Sequence, residues 1–302
     1  MESSRSKMSD ARHPGEPCTM TTNTGRHERD TVLVTSGTGK TGRRVVERLT
    51  ALGLEVRSGS RTGDVPFDWQ DESGWAPALR GADAAYVAYH PDLAAPGAPE
   101  AMTAFGRIAA ASGVRRIVLL SGRGEPRAVV AEEALRDAAA DVELTVLRSA
   151  FFAQNFSEGA LLEDVRAGEL VFPAGTTAEP FVDADDLADV AVAALTGEAA
   201  TGVVHELTGP RPLTFDEVAA ELTRATGREV RYTPVTGPQY AAALEGYGVP
   251  AGEAAFLAGL FTMLLDGHNA APADGVERAL GREAKDFTAF AREAAGQGLW
   301  RG

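Results

Sequence analysis

The chain is poor in cysteine and lysine: it has one cysteine, Cys18, and three lysines, Lys7, Lys40 and Lys285. A lone cysteine excludes an intrachain disulfide and a cysteine-built metal site. The five histidines are scattered, with no pair four residues apart, so no metal site is expected. No apolar run reaches the roughly 18 residues that a membrane-spanning helix needs, and no membrane partner is expected. Positive charge is also short. The net charge is −14, which repels a phosphate backbone and argues against nucleic acid as a partner. It leaves room for a local basic pocket around one phosphorylated cofactor. Residues 1–30 lack the apolar core of a secretory signal. They are polar and rich in Ser, Thr and Arg, and are expected to be a disordered tail. Met8 and Met20 are alternative starts. A cytoplasmic location suits these features.

What is present is a patterned chain of 302 residues, 44% hydrophobic, enough for one α/β core with a small appended lobe. Thr31–Thr35 reads as a buried strand and Lys40–Leu52 as a helix stopped by Gly53. Further strands are expected at Glu55–Ser58, Val65–Trp69, Ala84–Tyr89, Arg116–Ser121 and Leu144–Arg148. Helices are expected at Ser73–Arg80, Pro99–Ser112 and Ala128–Ala140. This alternation predicts a Rossmann-type, doubly wound parallel sheet over 31–150. After Ser149 the alternation loosens. Phe181–Leu195 reads as a turn into a helix, with Asp183, Asp185 and Asp186 at its positive end. His205–Thr208 is a late strand. Thr214–Thr226 is a helix with Thr214 and Glu217 as a capping box and Gly227 as its stop. Residues 151–302 are expected to form a smaller, mostly helical substrate lobe, interleaved with the last core elements.

The strongest motif is V-T-S-G-T-G-K-T-G-R-R-V. Gly37, Gly39 and Gly42 match G-x-G-x-x-G between a strand and a helix. Glycine lets the backbone approach a pyrophosphate, and the helix start offers open N–H groups and a positive dipole end. An NAD site places an acid after the second strand, for the ribose 2′-hydroxyl. Here the run is V-R-S-G-S-R, and no acid stands between Val56 and Gly63. Arg57 and Arg61 either grip a 2′-phosphate or are solvated surface charges. The first alternative selects NADP(H) over NAD(H).

Five segments together carry a resemblance: the glycine turn, Phe67–Trp69 (FDW), Arg115–Ser121 (RRIVLLS), Leu147–Phe156 (LRSAFFAQNF) and Pro180–Ala188 (PFVDADDLA). In this order they resemble the NmrA-like atypical short-chain dehydrogenase/reductases. The nearest branch is that of ergot alkaloid biosynthesis reductases and NAD(P)H:quinone oxidoreductases. The resemblance covers about residues 31–300. It implies that Gly37, Thr38, Gly39, Lys40 and Thr41, with Gly42, line a pyrophosphate. It puts Arg61 and Arg57 at the adenosine phosphate and Asp68 near the adenine. Tyr89, His90 and Ser121 fall near the nicotinamide, and Phe151, Phe152 and Asn155 on the substrate side. Two departures stand out. The family's first glycine is Ser36 here, which costs on the order of 1 kcal/mol if φ is positive. The Tyr-x-x-x-Lys dyad of the classical enzymes is absent, as it commonly is in the NmrA-like group.

Hydride transfer survives without that dyad, since a quinone, imine or enone accepts hydride readily. Candidate proton donors are His90 and Tyr89, with His90 also readable as a loop residue. Ser121 either bonds a substrate carbonyl or caps a turn. Glu132 and Glu133 read as solvated helix residues. Phe151, Phe152 and Phe156 are either an apolar pocket wall or core packing. His268 and Asn269 read as a capping turn rather than a pocket lid. The leading reading is an NADPH-dependent reductase of a small conjugated or aromatic substrate, of the kind used in secondary metabolism. It acts as a monomer or homodimer. The alternatives are a non-catalytic, dinucleotide-sensing regulator and an enzyme that holds its cofactor for isomerisation or dehydration without net turnover.

Overall fold

The first strand, β1 (Thr31–Thr35), is buried along its whole length. Alternate side chains enter opposite layers, as a period-two strand requires. Leu33 packs with Val87 and Ile117 on one face. Val32 and Val34 pack with Tyr86 and Val118 on the other. The chain then alternates through α1 (Gly42–Ala51), β2 (Glu55–Ser60), β3 (Val65–Pro66), α2 (Trp75–Leu79), β4 (Ala84–Val87), α3 (Ala98–Ala111), β5 (Arg116–Gly122), α4 (Pro126–Ala138) and β6 (Glu143–Ser149). The computed structural model describes residues 30–63 and 65–301. Cys18 and all of the expected tail but Asp30 lie outside the described residues.

The second half runs α5 (Asn155–Glu158), α6 (Leu162–Ala167), β7 (Glu169–Phe172), β8 (Ala178–Glu179), α7 (Ala184–Thr196), β9 (Val204–Leu207), β10 (Leu213–Thr214), α8 (Phe215–Thr226), β11 (Arg231–Pro234), α9 (Gly237–Gly246), α10 (Ala251–Leu264), α11 (Gly275–Leu280) and α12 (Phe287–Gly296). The main sheet has the order β3-β2-β1-β4-β5-β6-β9. All its pairings are parallel. Its direction of winding reverses between β1 and β4, and ligands bind doubly wound sheets outside the strand ends at that point.

Local chemistry explains the element ends. Asp183 caps α7 by accepting from the Asp185 amide at 2.7 Å. Thr214 and Glu217 form the expected capping box, and Gly227 takes a φ of 69° at the end of α8. The third strand is shorter than the expected Val65–Trp69. Asp68 Oδ1 accepts from the Gln70 amide at 3.0 Å and starts a turn. Phe67 and Trp69 instead join an aromatic cluster with Trp75 and Phe105.

The lobe has its own core, built on Phe156, Phe172, Phe181, Phe215 and Phe287. It also holds two short sheets that the sequence pattern does not announce, parallel β7–β11 and antiparallel β8–β10. Helix α10 joins the halves. Leu260 packs into the core of the main sheet and Ala258 into that of the lobe.

Candidate functional site

The glycine turn sits at the carboxyl end of β1. Gly37 donates its amide to Gly59 O at 3.0 Å, and Gly39 donates to Ser36 O at 2.8 Å. A β-carbon on Gly42 would fall 2.2 Å from Ser36 O, and one on Gly37 would fall 2.4 Å from Ser58 Oγ. Both positions therefore require glycine. Ser36 is the one non-glycine residue with positive φ among the described residues, at 50°. Its hydroxyl donates to Ala88 O at 2.9 Å, which offsets part of the backbone strain. No side chain caps α1, so the helix start is clear of side chains toward an anion, although the Arg43 amide already donates to Gly39 O at 3.1 Å. This cradle fits a dinucleotide pyrophosphate.

Lys40 turns inward from the loop. Its ammonium donates to Asn155 Oδ1 and lies 5.7 Å from the centroid of the Phe152 ring. Burial pulls its pKa down to about 8, against the pull of Glu158. Lys40, from the glycine turn, and Asn155, from the start of α5, thus form one contact. Thr38 is exposed and Thr41 buried.

The two arginines of β2 separate. Arg57 donates to the carbonyl of Ala78 at 3.3 Å and to that of Arg80. Its guanidinium therefore holds the end of α2. Arg61 lies exposed just beyond the carboxyl end of β2. Asp68 turns its carboxylate to its own turn, as described above.

Beyond the ends of β4, β5 and β6 lies a cavity of about 250 Å³. Tyr89, Ser121 and Ser149 line its sheet side. Phe151, Phe152 and Asn155 line the lobe side, and Leu260, Phe261 and Leu264 close it from α10. Tyr89 is set by its contact with Trp69, with ring centroids 5.1 Å apart. Its pKa is pushed up by burial and then by Glu100. Phe151 faces the cavity and also packs against Phe172 and Phe181, at 5.7 Å from each. Phe156 is fully buried core.

The other expected residues divide between the cavity and its surroundings. His90 is exposed and outside the cavity wall. Ser121 donates to Glu132 Oε1 at 2.6 Å, so its hydroxyl is tied to the protein. Glu132 corrects the expectation of a solvated residue. It is 1% exposed and takes a forked ion pair from Arg148, whose Nη2 lies 2.7 Å away. Glu133 is exposed, as expected. Asn269 closes a turn and lines the cavity as well. Its Nδ2 donates to Arg123 O at 3.1 Å, and Arg123 Nη1 donates to Asn269 O at 2.7 Å.

The sequence reading missed the cavity's carboxylates. Asp92, Glu125 and Glu179 all line it. Burial pushes Glu125 up to about 8, with Asp92 adding to the shift. Burial likewise pushes Glu179 up to about 7, although its Oε1 accepts from the Phe151 amide at 3.2 Å. The only hint in the sequence is acids flanked by Gly, Pro or Phe near strand ends.

No family model matches the chain. Curated proteins do. It is 32% identical over 274 residues to the oxidoreductase YesF of Bacillus subtilis, covering 86% of this chain and 93% of that one. It is 33% identical over 280 residues to agroclavine dehydrogenase of Claviceps fusiformis, covering 85% and 92%. The chain belongs to the NmrA-like atypical short-chain dehydrogenase/reductases. Solved structures share this NmrA-like fold. The triphenylmethane reductase of Citrobacter sp. complexed with NADP(H) superposes with a TM-score of 0.70 at 21% identity, over 87% of this chain and 99% of that one. The NADPH-dependent quinone oxidoreductase of Escherichia coli gives 0.70 at 21% identity, over 89% and 99%. No helix among the described residues is long and apolar enough to cross a membrane.

Proposed function

We propose that this NmrA-like chain is an NADPH-dependent reductase whose acceptor is a small conjugated molecule, a quinone, imine or enone. The observation that carries the reading is the cavity. It opens at the carboxyl ends of β4–β6, next to the glycine turn, and has aromatic walls from the lobe and α10. Flat acceptors match such walls. The NADP(H) and NADPH complexes of the two superposed reductases support the cofactor, and the exposed position of Arg61 just after β2 supports a role for it toward the 2′-phosphate. The relatives' activities as dehydrogenases and oxidoreductases support redox chemistry here.

When bound, the reduced nicotinamide supplies a hydride. The chain's own residues do the rest. The turn at Gly37–Gly42 holds the phosphates, Lys40 and Asn155 tie the cofactor side to the acceptor side, and the α10 wall keeps water from the reacting carbon. The decisive experiment follows the absorbance of reduced nicotinamide while quinone, enone and imine panels are added. Saturable, acceptor-dependent NADPH oxidation is expected. Tight NADPH binding with no turnover on any panel would leave the sensing alternative instead.

A further inference from the structure

We infer that Glu125, backed by Asp92, is the proton donor of this site, a carboxyl pair in the place of the missing tyrosine and lysine. The inference rests on the reductase reading.

The geometry is that of a donor facing an acceptor. Glu125 is 6% exposed at the amino end of α4 and lines the cavity. Its carboxyl lies against Gly122, the last residue of β5. Its Oε2 is buried with no hydrogen-bond partner. An orphaned buried oxygen is costly, and a cost kept in a cavity wall is accounted for by a function. Asp92 reaches it from the connection between β4 and α3. The two carboxyls are close enough to share a hydrogen bond when one is protonated. Like charges at such a distance cannot both ionise easily, so the pair retains a proton.

The surroundings reinforce that state. Glu132, on the same helix, adds negative charge. Glu179 of β8 is another carboxyl on the cavity wall. Two cations stand nearby and are paired elsewhere, Arg148 of β6 with Glu132 and Arg123 of the cavity wall with Glu206, to which its Nε donates at 2.8 Å. Arg127, next to Glu125 in the chain, is exposed, and His268 bonds Asp266 and the Gly124 carbonyl. A carboxyl held near 8 is protonated at neutral pH and is still acidic enough to give its proton away. Tyr89, pushed up by burial, is a poorer acid.

The step balances. A bound NADPH would supply a hydride to an electrophilic carbon of the conjugated acceptor, and an electron pair would move through the conjugated system to the carbonyl oxygen. The O–H bond of Glu125 breaks as a new O–H bond forms on that oxygen. Glu125 is left as a carboxylate, and water returns the proton through half-buried Asp92. The acceptor has gained two electrons and two hydrogens, and NADPH has become NADP⁺.

The test uses a neutral quinone acceptor, with the pH dependence of kcat/KM and the Kd for NADPH measured side by side. In the wild type, the rate should fall as pH rises through about 8. Glu125→Gln should lose roughly 100-fold or more in rate and lose that limb, with the Kd for NADPH unchanged. Asp92→Asn removes the repelling charge, so it should move the limb to lower pH. A Glu125→Gln enzyme with the wild-type rate or limb would overturn the assignment. So would an equal loss of rate and NADPH affinity, or an Asp92→Asn limb that stays in place. If the wild type binds NADPH but oxidises it with none of the acceptors, the reductase reading itself fails and takes this inference with it.

Discussion

The carboxyl of Glu125 rests on the α-carbon of Gly122. A β-carbon at that glycine would fall 2.1 Å from Glu125 Oε1. The contact is with the end of a flexible side chain, so Gly122→Ala should fold and displace the carboxyl. A loss of about tenfold or more in kcat is expected, with NADPH affinity intact and the melting temperature nearly unchanged. Steady-state kinetics and a fluorescence titration check this.

Arg57 and Arg61 should separate on mutation. Arg61→Ala should weaken NADPH binding by roughly 10- to 100-fold and leave NADH binding alone, since a charge-assisted bond contributes about 1.5–3 kcal/mol. Arg57→Ala should keep the cofactor preference and cost about 1–2 kcal/mol of stability, because the carbonyls of Ala78 and Arg80 lose their donor. Paired titrations and urea melts distinguish the two.

Glu132 should behave as a buried partner. Glu132→Gln leaves the Arg148 guanidinium beside a neutral amide, at a cost of about 3 kcal/mol. The urea midpoint should drop accordingly. Glu133→Gln, on the exposed side of the same helix, should change little.

Stability should fall as pH rises in the cofactor-free protein. Glu125 and Glu179 are raised to about 8 and about 7 by burial, so the folded state holds their protons more tightly than the unfolded chain does. The stabilisation is complete below the unfolded value of about 4.5 and is lost as pH rises through 7 and 8. A decline on the order of 1–3 kcal/mol between about pH 5 and pH 8 is expected. Glu125→Gln with Glu179→Gln should flatten it. Lys40, lowered to about 8, works in the opposite direction only above that pH, so urea melts below pH 8 isolate the carboxyls.

Features set by short-range rules were legible in the sequence. The glycine turn is one, and the Thr214–Glu217 capping box is another. The serine at a positive-φ position was also legible, because one residue's backbone decides it. The fate of Glu125 was not. Nothing in S-G-R-G-E-P-R marks it as buried, and only the fold brings in Asp92, 33 positions earlier in the chain. Glu132 was hidden for the same reason, since Arg148 arrives on the neighbouring strand β6. The hydrogen bonds of Arg57 were not legible, because its partners are carbonyls at a helix end, which no residue type announces.

Leu260, Phe261 and Leu264 all reach the cavity from α10, on a segment that contributes nothing to the seven-stranded sheet. On the proposed function, the acceptor's berth would be recut by exchanging Phe261 and Leu264 on one helix, with Leu260 kept for the core of the main sheet and the phosphate cradle left as it is. Divergence in what such enzymes reduce need not disturb how they reduce it.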